Sequence, residues 1–231
     1  MRIENKQRKI KVTIDTDQSN FRTLNNKDEP ILRIVKINHG NSINENHSMK
    51  TTQSADQIIY FLKQCADAIK IQTNNPTVLK GAEIFSQRIK SPTEKQFNPH
   101  LLPVIAQIEH LSSTPFTFNF QQIVTDMVWR PSPRTDEKGE QMALGIFNEV
   151  LDLGDIVVGL LVVDKHQSYP LHQHRPQELY LVLSGTGDWR YGGSEEFNTL
   201  VPGDVIYNHP NDLHGVNALD EPILALYVLW K

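Results

Sequence analysis

The sequence of 231 residues predicts a mainly β fold preceded by a helical part. Apolar residues recur at helical spacing between residues 54 and 111, whereas from about residue 116 they fall into short runs with period two. The later runs are bounded by Gly, Pro, Asn and Asp, and no helical stretch separates them. Many short strands in this arrangement predict an antiparallel sandwich or barrel.

Composition and charge exclude several classes of protein. A formal net charge of −4 gives no reason to expect nucleic acid or an anionic membrane as a partner. The single cysteine, Cys65, cannot form an internal disulfide, which agrees with a reducing compartment. The N-terminus lacks the apolar core of a signal peptide, and the longest aliphatic run, "IVVGLLVV" at 156–163, is too short to span a bilayer as a helix. We therefore expect a soluble, cytoplasmic protein.

The pattern divides the chain into three parts. Residues 1–48 are rich in Asn, Lys and Ile and show no sustained helical period, which predicts a flexible N-terminal extension. An alternative is that Met49 is the natural start and the preceding stretch is translated leader. Residues 49–112 are predicted to be helical, and residues 113–231 to form the β domain.

Helix signals are clear in the second part. "SADQ" at 54–57 is a capping box that predicts the start of the first helix at Ser54, followed by an apolar stripe that includes Cys65. Asn75 and Pro76 suit the N-cap and first position of a second helix. A third helix is predicted from about Leu101 to Leu111.

Strand signals fill the third part. "FTFNF" at 116–120 alternates at period two, and residues 142–164 are typical of strands separated by the turn "DLGD". Residues 130–141 form a polar loop containing two prolines. Four further runs, "ELYLVLSG", "GTGDWRYGG", "TLVPGDVIYNHP" and "ILALYVLW", are strand candidates.

One stretch, "YPLHQHRPQELYLVLSG" at 169–185, combines polar side chains with an apolar strand. Glu178 and Tyr180 are two residues apart and share a face of an extended chain, and a buried carboxylate there is costly without a partner. His172 and His174 nearby suggest that the partner is a metal ion. His214, in "PNDLHGVN", is the best candidate for a ligand from another strand. This ligand set suits one divalent ion, Zn, Fe, Mn, Ni or Co, without choosing among them.

These residues resemble the two motifs of the cupin superfamily. The first motif has two His one residue apart, Glu four residues later and Gly seven residues after that, which His172, His174, Glu178 and Gly185 meet. Gly203 and His214, eleven residues apart, resemble the second motif. The resemblance implies a single cupin-type double-stranded β-helix, or jelly-roll, barrel. Two positions depart from the motifs where glycine is usual: His166 opens the first motif, and Asn211 stands in the turn of the second, where Asn tolerates a left-handed backbone.

Within cupins, the pattern Y-x-x-H-x-H-x-x-x-E-x-Y is similar to the small-cupin dimethylsulfoniopropionate (DMSP) lyases. The resemblance implies a metal-dependent carbon–sulfur lyase that cleaves DMSP, a small carboxylate, to dimethyl sulfide and acrylate. It implies that Tyr169 and Tyr180 are catalytic residues that flank the substrate, with Tyr180 as the general base and Tyr169 as the alternative base. Trp189 and Tyr207 are candidate aromatic contacts for the sulfonium group.

Other readings stay open on the sequence alone. A different cupin metalloenzyme, such as a dioxygenase or a sugar-acid isomerase, would use the same ligands. A cupin that binds a metal or small ligand without turnover would not need a base. Because cupins commonly pair through barrel faces, a homodimer is also expected.

Overall fold

The computed structural model describes residues 46–108, 111, 114–117, 119–134 and 138–231, with side chains from residue 55 onward. Nearly all of the predicted extension 1–48 lies outside the described residues, as do residues 112 and 113 at the predicted boundary before the β domain. The division into three parts therefore stays a prediction. No helix in the described ranges combines the length and apolar character needed to cross a membrane.

Four α-helices lie in the first half of the described chain: α1 Asn46–Gln72, α2 Pro76–Arg88, α3 Ile105–Ile108 and α4 Phe120–Ile123. The start of α2 is as predicted, because the Asn75 side chain accepts hydrogen bonds from the backbone amides of Thr77 and Val78, at 2.9 and 3.4 Å. Pro76 occupies the first turn, where it costs no hydrogen bond. Cys65 is buried among the apolar side chains between α1, α2 and the sheet.

Three local predictions were wrong. The helix α1 begins at Asn46 and runs through Ser54, so the "SADQ" sequence does not mark its start. A capping box contributes only about 1 kcal/mol, which a longer run of helix-compatible residues overrides. The third helix begins at Ile105 and not near Leu101, because the backbone amide of Val104 bonds to the carbonyl of Gly139.

The third error concerns "FTFNF", which was predicted to be a strand. Residues 115–117 form a turn that leads into α4. The hydroxyl of Thr117 accepts from the amide of Thr114 at 2.8 Å, and the hydroxyl of Thr114 donates to the carbonyl of Leu183 at 3.0 Å. Threonine side chains thus close the turn and tie it to the sheet, which a strand pattern does not reveal.

The described residues form twelve strands, of which β1 precedes α3: β1 Thr93–Glu94, β2 Trp129–Pro131, β3 Met142–Ile146, β4 Leu151–Asp152, β5 Val157–Val163, β6 Ser168–His172, β7 Gln177–Ser184, β8 Gly187–Arg190, β9 Asn198–Leu200, β10 Val205–Asn208, β11 His214–Ala218 and β12 Ile223–Trp230. All their pairings are antiparallel. Six strands form one sheet in the order β10-β7-β12-β5-β3-β2, and four form a second in the order β6-β11-β8-β9; β1 pairs with β4.

The larger sheet has two buried faces that alternate along each strand. One face, including Leu179 and Leu181, packs against the helices. The other, including Tyr180 and Val182, packs against the smaller sheet through residues such as Trp189. These two sheets enclose the jelly-roll interior. This confirms the predicted mainly β jelly-roll fold with an N-terminal helical part, although among the described strands the two sheets face each other without hydrogen-bonding into a closed ring.

Candidate metal centre and its surroundings

Three histidine side chains converge at one end of this interior. His172 ends β6, His174 lies in the turn before β7, and His214 begins β11. His172 and His214 are register partners on adjacent strands, and their ring centroids are 4.2 Å apart. One potential ligand atom from each of the three residues lies within 4.8 Å of the others. The structure therefore places His172, His174 and His214 next to one another.

Backbone carbonyls orient all three imidazoles in the same way. The Nδ1 atom of His172 lies 2.9 Å from the carbonyl of Pro170, that of His174 lies 3.0 Å from Pro176, and that of His214 lies 2.8 Å from Asp212. A carbonyl only accepts, so Nδ1 carries the hydrogen in each ring. In the neutral imidazole this leaves the lone pair on Nε2, the arrangement found for histidine ligands of metals.

Glu178 faces two of these nitrogens from β7. Its carboxylate atom Oε2 lies 3.0 Å from Nε2 of His214 and 3.4 Å from Nε2 of His174. Both nitrogens are buried, and neither has a hydrogen-bond partner of acceptable geometry among the described residues. Lone pairs on two nitrogens and a carboxylate therefore meet in a buried space, an arrangement that a positive charge between them stabilises. The residues present thus fit a divalent metal ion.

Charges within the cluster shift the pKa values of its members. Burial alone raises the pKa of Glu178, but its contacts with His174 and His214 outweigh burial and lower it to about 2. The contact with Glu178 raises the pKa of His174 against the effect of burial. Burial lowers the pKa of His172 to about 4. At neutral pH, Glu178 is ionised and His172 is neutral, as metal ligands must be.

Tyr180 extends from β7 into the interior, on the same face as Glu178. Its ring centroid lies 5.2 Å from that of Trp189 and 6.5 Å from that of His214. Burial raises the pKa of Tyr180 well above its usual value, and the charge of Glu178, to which its hydroxyl is hydrogen-bonded, raises it further. The phenol is therefore protonated in the metal-free protein and needs a nearby positive charge to ionise.

Tyr169 lies on the other side of the cluster, on β6. Its ring centroid is 4.8 Å from that of His172, in an edge-on arrangement. Burial raises the pKa of Tyr169, while a hydrogen bond from the exposed Arg134 acts in the opposite direction. Two phenols thus flank the histidines from the two opposing sheets.

A family model for DMSP lyases, described as dimethylsulfoniopropionate lyase, matches residues 51–225, which include every residue of this cluster. The chain belongs to the DMSP lyase family. The curated DMSP lyase DddQ of Ruegeria pomeroyi is 35% identical over 63 residues. That alignment spans 27% of this chain and only 30% of the relative.

Two solved structures of DMSP lyases superpose on most of this chain. A chain from the crystal structures of the DMSP lyases RdDddP and RnDddQII superposes with a TM-score of 0.62 at 18% identity, covering 79% of this chain and 94% of its own. DddQ from Ruegeria pomeroyi DSS-3 gives a TM-score of 0.55 at 19% identity, covering 71% of this chain and 92% of its own. At these identities the likeness establishes the fold.

Backbone conformation explains the motif glycines and their replacements in this DMSP lyase family member. Gly185 has φ +77°, and a Cβ there would lie 2.1 Å from the carbonyl oxygen of Pro222, so only glycine fits. His166 and Asn211, the two departures from the cupin motifs, have φ +60° and +65°. The left-handed turn expected at Asn211 is therefore present, and His166 adopts the same conformation.

Tyr207 is not brought to the cluster. It pairs with Leu179 across β10 and β7, so its side chain lies on the helix-facing side of the sheet, opposite to Glu178 and Tyr180. There its hydroxyl donates to Gln177 at 2.7 Å, and its ring lies 6.0 Å from that of Trp230. Trp189, in contrast, lies within the interior beside Tyr180.

Sequence reasoning missed three residues near the cluster. Asn208, fully buried on β10, donates to Oε2 of Glu178 at 3.3 Å. Tyr227 is the register partner of Tyr180 on β12, with ring centroids 6.2 Å apart. Period-two alternation within "VIYN" and "LALYVLW" is compatible with either face of the sheet. Only the strand register shows that Asn208 and Tyr227 lie on the interior face. No sequence signal identifies Arg134.

Proposed function

We propose that this chain is a metal-dependent lyase that cleaves DMSP to dimethyl sulfide and acrylate by β-elimination. The observation that carries the proposal is the convergence of His174, His214 and Glu178 on one buried point beside Tyr180, where the Nε2 atoms of both imidazoles have no hydrogen-bond partner among the described residues. Membership of the DMSP lyase family supports both the reaction type and the substrate.

We assign the metal to His172, His174, Glu178 and His214. Their donor set of three imidazoles and one carboxylate suits Zn, Fe, Mn, Ni or Co. When bound there, a divalent cation supplies Lewis-acid stabilisation to the substrate carboxylate and favours the ionised form of a neighbouring phenol.

We assign Tyr180 as the general base. As a phenolate it takes a proton from the carbon next to the substrate carboxylate, and the electron pair of that C–H bond forms the new C=C bond. The C–S bond breaks, and its electron pair leaves on sulfur. The products are acrylate, neutral dimethyl sulfide and a protonated Tyr180, which returns its proton to solvent. A phenolate base suits this step because the proton removed is only weakly acidic, and Tyr180 is buried beside the cluster.

Tyr169 and Trp189 are the proposed substrate contacts. Tyr169 lies against His172, and Trp189 lies against Tyr180, so the two rings border the space next to the cluster. A sulfonium cation is attracted to aromatic faces, by about 0.5–2 kcal/mol. The buried indole N–H of Trp189 has no partner among the described residues, which leaves it free for a polar ligand atom. Tyr207 remains a substrate contact only as a sequence prediction, because its side chain lies on the opposite face of the sheet from the cluster.

Three further assignments belong to the same proposal. The cytoplasmic location is kept as the sequence analysis predicts it. A homodimer is expected from the cupin resemblance. The division into an extension, a helical region and a β domain is kept as the sequence predicts it.

The test is direct. Metal-free protein is loaded separately with Zn, Fe, Mn, Ni or Co and incubated with DMSP, and dimethyl sulfide is measured by headspace gas chromatography with acrylate by liquid chromatography. We expect equal amounts of both products with at least one metal. Absence of both products with all five metals would refute the proposed reaction.

A further inference from the structure

Asn208 is the only asparagine in the described chain whose side chain has no exposed surface at all, and it lies against the cluster. It ends β10 and is the register partner of Glu178 on β7, so the two side chains project from the same face of the sheet. Two residues earlier on this face, the chain places the apolar Ile206. An amide at the buried position costs desolvation that an apolar residue would avoid, unless both of its ends are satisfied.

Both ends of the Asn208 amide are satisfied, by different parts of the chain. The backbone N–H of Gly192, in the turn between β8 and β9, donates to Oδ1 of Asn208 at 3.1 Å. The Nδ2 group of Asn208 then donates to Oε2 of Glu178 at 3.3 Å. Because a backbone N–H can only donate, the first bond fixes which end of the amide faces Glu178.

The oxygen that receives this bond is the one that faces the imidazoles. Oε2 of Glu178 lies 3.0 and 3.4 Å from the Nε2 atoms of His214 and His174. Rotation of the carboxylate away from them would break its bond to Asn208. The amide therefore limits the carboxylate to orientations in which the same oxygen stays beside the histidines.

We propose that Asn208 is a positioning residue, which holds the Glu178 carboxylate toward the imidazoles through an anchor in the Gly192 turn and thereby strengthens metal binding. This inference rests on the metal site of the proposed function. Groups that orient metal ligands typically contribute about 10–100-fold to metal affinity. A purely structural asparagine would instead affect folding stability and leave metal affinity unchanged.

Asn148 offers a matched control, because its side chain also joins two separate groups. Its Nδ2 donates to the carbonyl of Ile156 and its Oδ1 accepts from the amide of Val158, both at 2.8 Å. These partners are backbone groups outside the cluster. Asn148→Ala therefore removes the same kind of link without touching Glu178.

The experiment compares wild type, Asn208→Ala, Asn208→Leu and Asn148→Ala. Each metal-free protein is purified as its folded fraction by gel filtration, and its affinity for Zn and Co is measured by competition with a chromophoric chelator. The leucine variant fills the volume of the asparagine and guards against collapse of the alanine variant. We expect the Asn208 variants to bind metal about 10–100-fold more weakly and Asn148→Ala to match wild type.

The possible failures are separable. Wild-type affinity in the folded Asn208 variants would overturn the positioning role while leaving the metal site intact. Equal weakening by Asn148→Ala would also overturn it, because a general loss of stability would then account for the effect. No metal binding by the wild type would overturn the metal site of the proposed function, and this inference with it.

Discussion

Replacing Tyr180 by phenylalanine tests the proposed reaction at a single atom. The hydroxyl of Tyr180 is buried and hydrogen-bonded to Glu178. After the substitution, Glu178 still accepts a hydrogen bond from Asn208. The fold should therefore lose no more than about 2 kcal/mol of stability. Removal of a general base slows the chemical step by about 10²–10⁴-fold, equivalent to about 3–5 kcal/mol in activation free energy.

Tyr227→Phe provides the matched control for that substitution. Tyr227 presents a second buried phenol to the same interior, 6.2 Å from Tyr180 between ring centroids, and it packs over Gly159, where an added Cβ would lie 2.2 Å from the Tyr227 hydroxyl oxygen. We expect Tyr227→Phe to retain turnover within about threefold, since it removes an equivalent hydroxyl without removing the base.

The assay is initial-rate release of dimethyl sulfide by metal-loaded enzyme, with metal content determined by mass spectrometry. Tyr180→Phe should contain as much metal as wild type and show near-wild-type melting in the metal-free form. If this variant, fully loaded, kept more than about a tenth of wild-type turnover, a loss smaller than base removal predicts, the assignment of Tyr180 as base would be wrong. If Tyr227→Phe lost as much activity as Tyr180→Phe, the loss would follow from removing any buried hydroxyl of the interior and would not identify Tyr180 as the base.

Three other predictions follow from the structure. His214→Ala removes one of the unpartnered imidazole nitrogens, and we expect the purified protein to lose most of its bound metal; undiminished metal content would exclude His214 as a ligand. Gly185→Ala forces a left-handed residue against the carbonyl of Pro222 and should lower the free energy of unfolding by about 2–4 kcal/mol, measured in urea; an unchanged midpoint would contradict the close approach. Burial raises the pKa of Cys65, so folded protein at pH 8–9 should not react with a thiol reagent until denaturant is added; rapid reaction of native protein would show that α1 is not docked as described.

The sequence was most informative where function depends on neighbours along the chain. His172, His174 and Glu178 lie within seven residues, so their spacing alone suggested a shared partner. His214 was predicted only as a candidate ligand from another strand, because nothing within its own segment indicates that β11 pairs with β6 at His172. The cap at Asn75 was also predictable, since its partners are the amides of Thr77 and Val78, two and three residues later.

The sequence was least informative where the answer depends on strand register. Asn208 lies at the cluster only because the register of β10 and β7 pairs it with Glu178. The same register pairs Tyr207 with Leu179, so the Tyr207 side chain lies on the opposite face of the sheet. An aromatic residue near the motif is therefore poor evidence of a substrate contact until the face of the sheet on which its side chain lies is known. The strand wrongly predicted for "FTFNF" has a similar origin, because Phe116 and Phe120, at alternating positions, pack against the core from a turn and from α4.

His166 and Asn211 show which parts of a motif a chain can replace. At both positions only a dihedral angle is required, and a side chain can be accommodated at modest energetic cost. At Gly185 a neighbouring carbonyl occupies the place of any side chain, so no substitute is available. A search pattern that demands glycine equally at all three positions would discard chains such as this one, whereas a pattern that weights each glycine by the crowding around it would keep them.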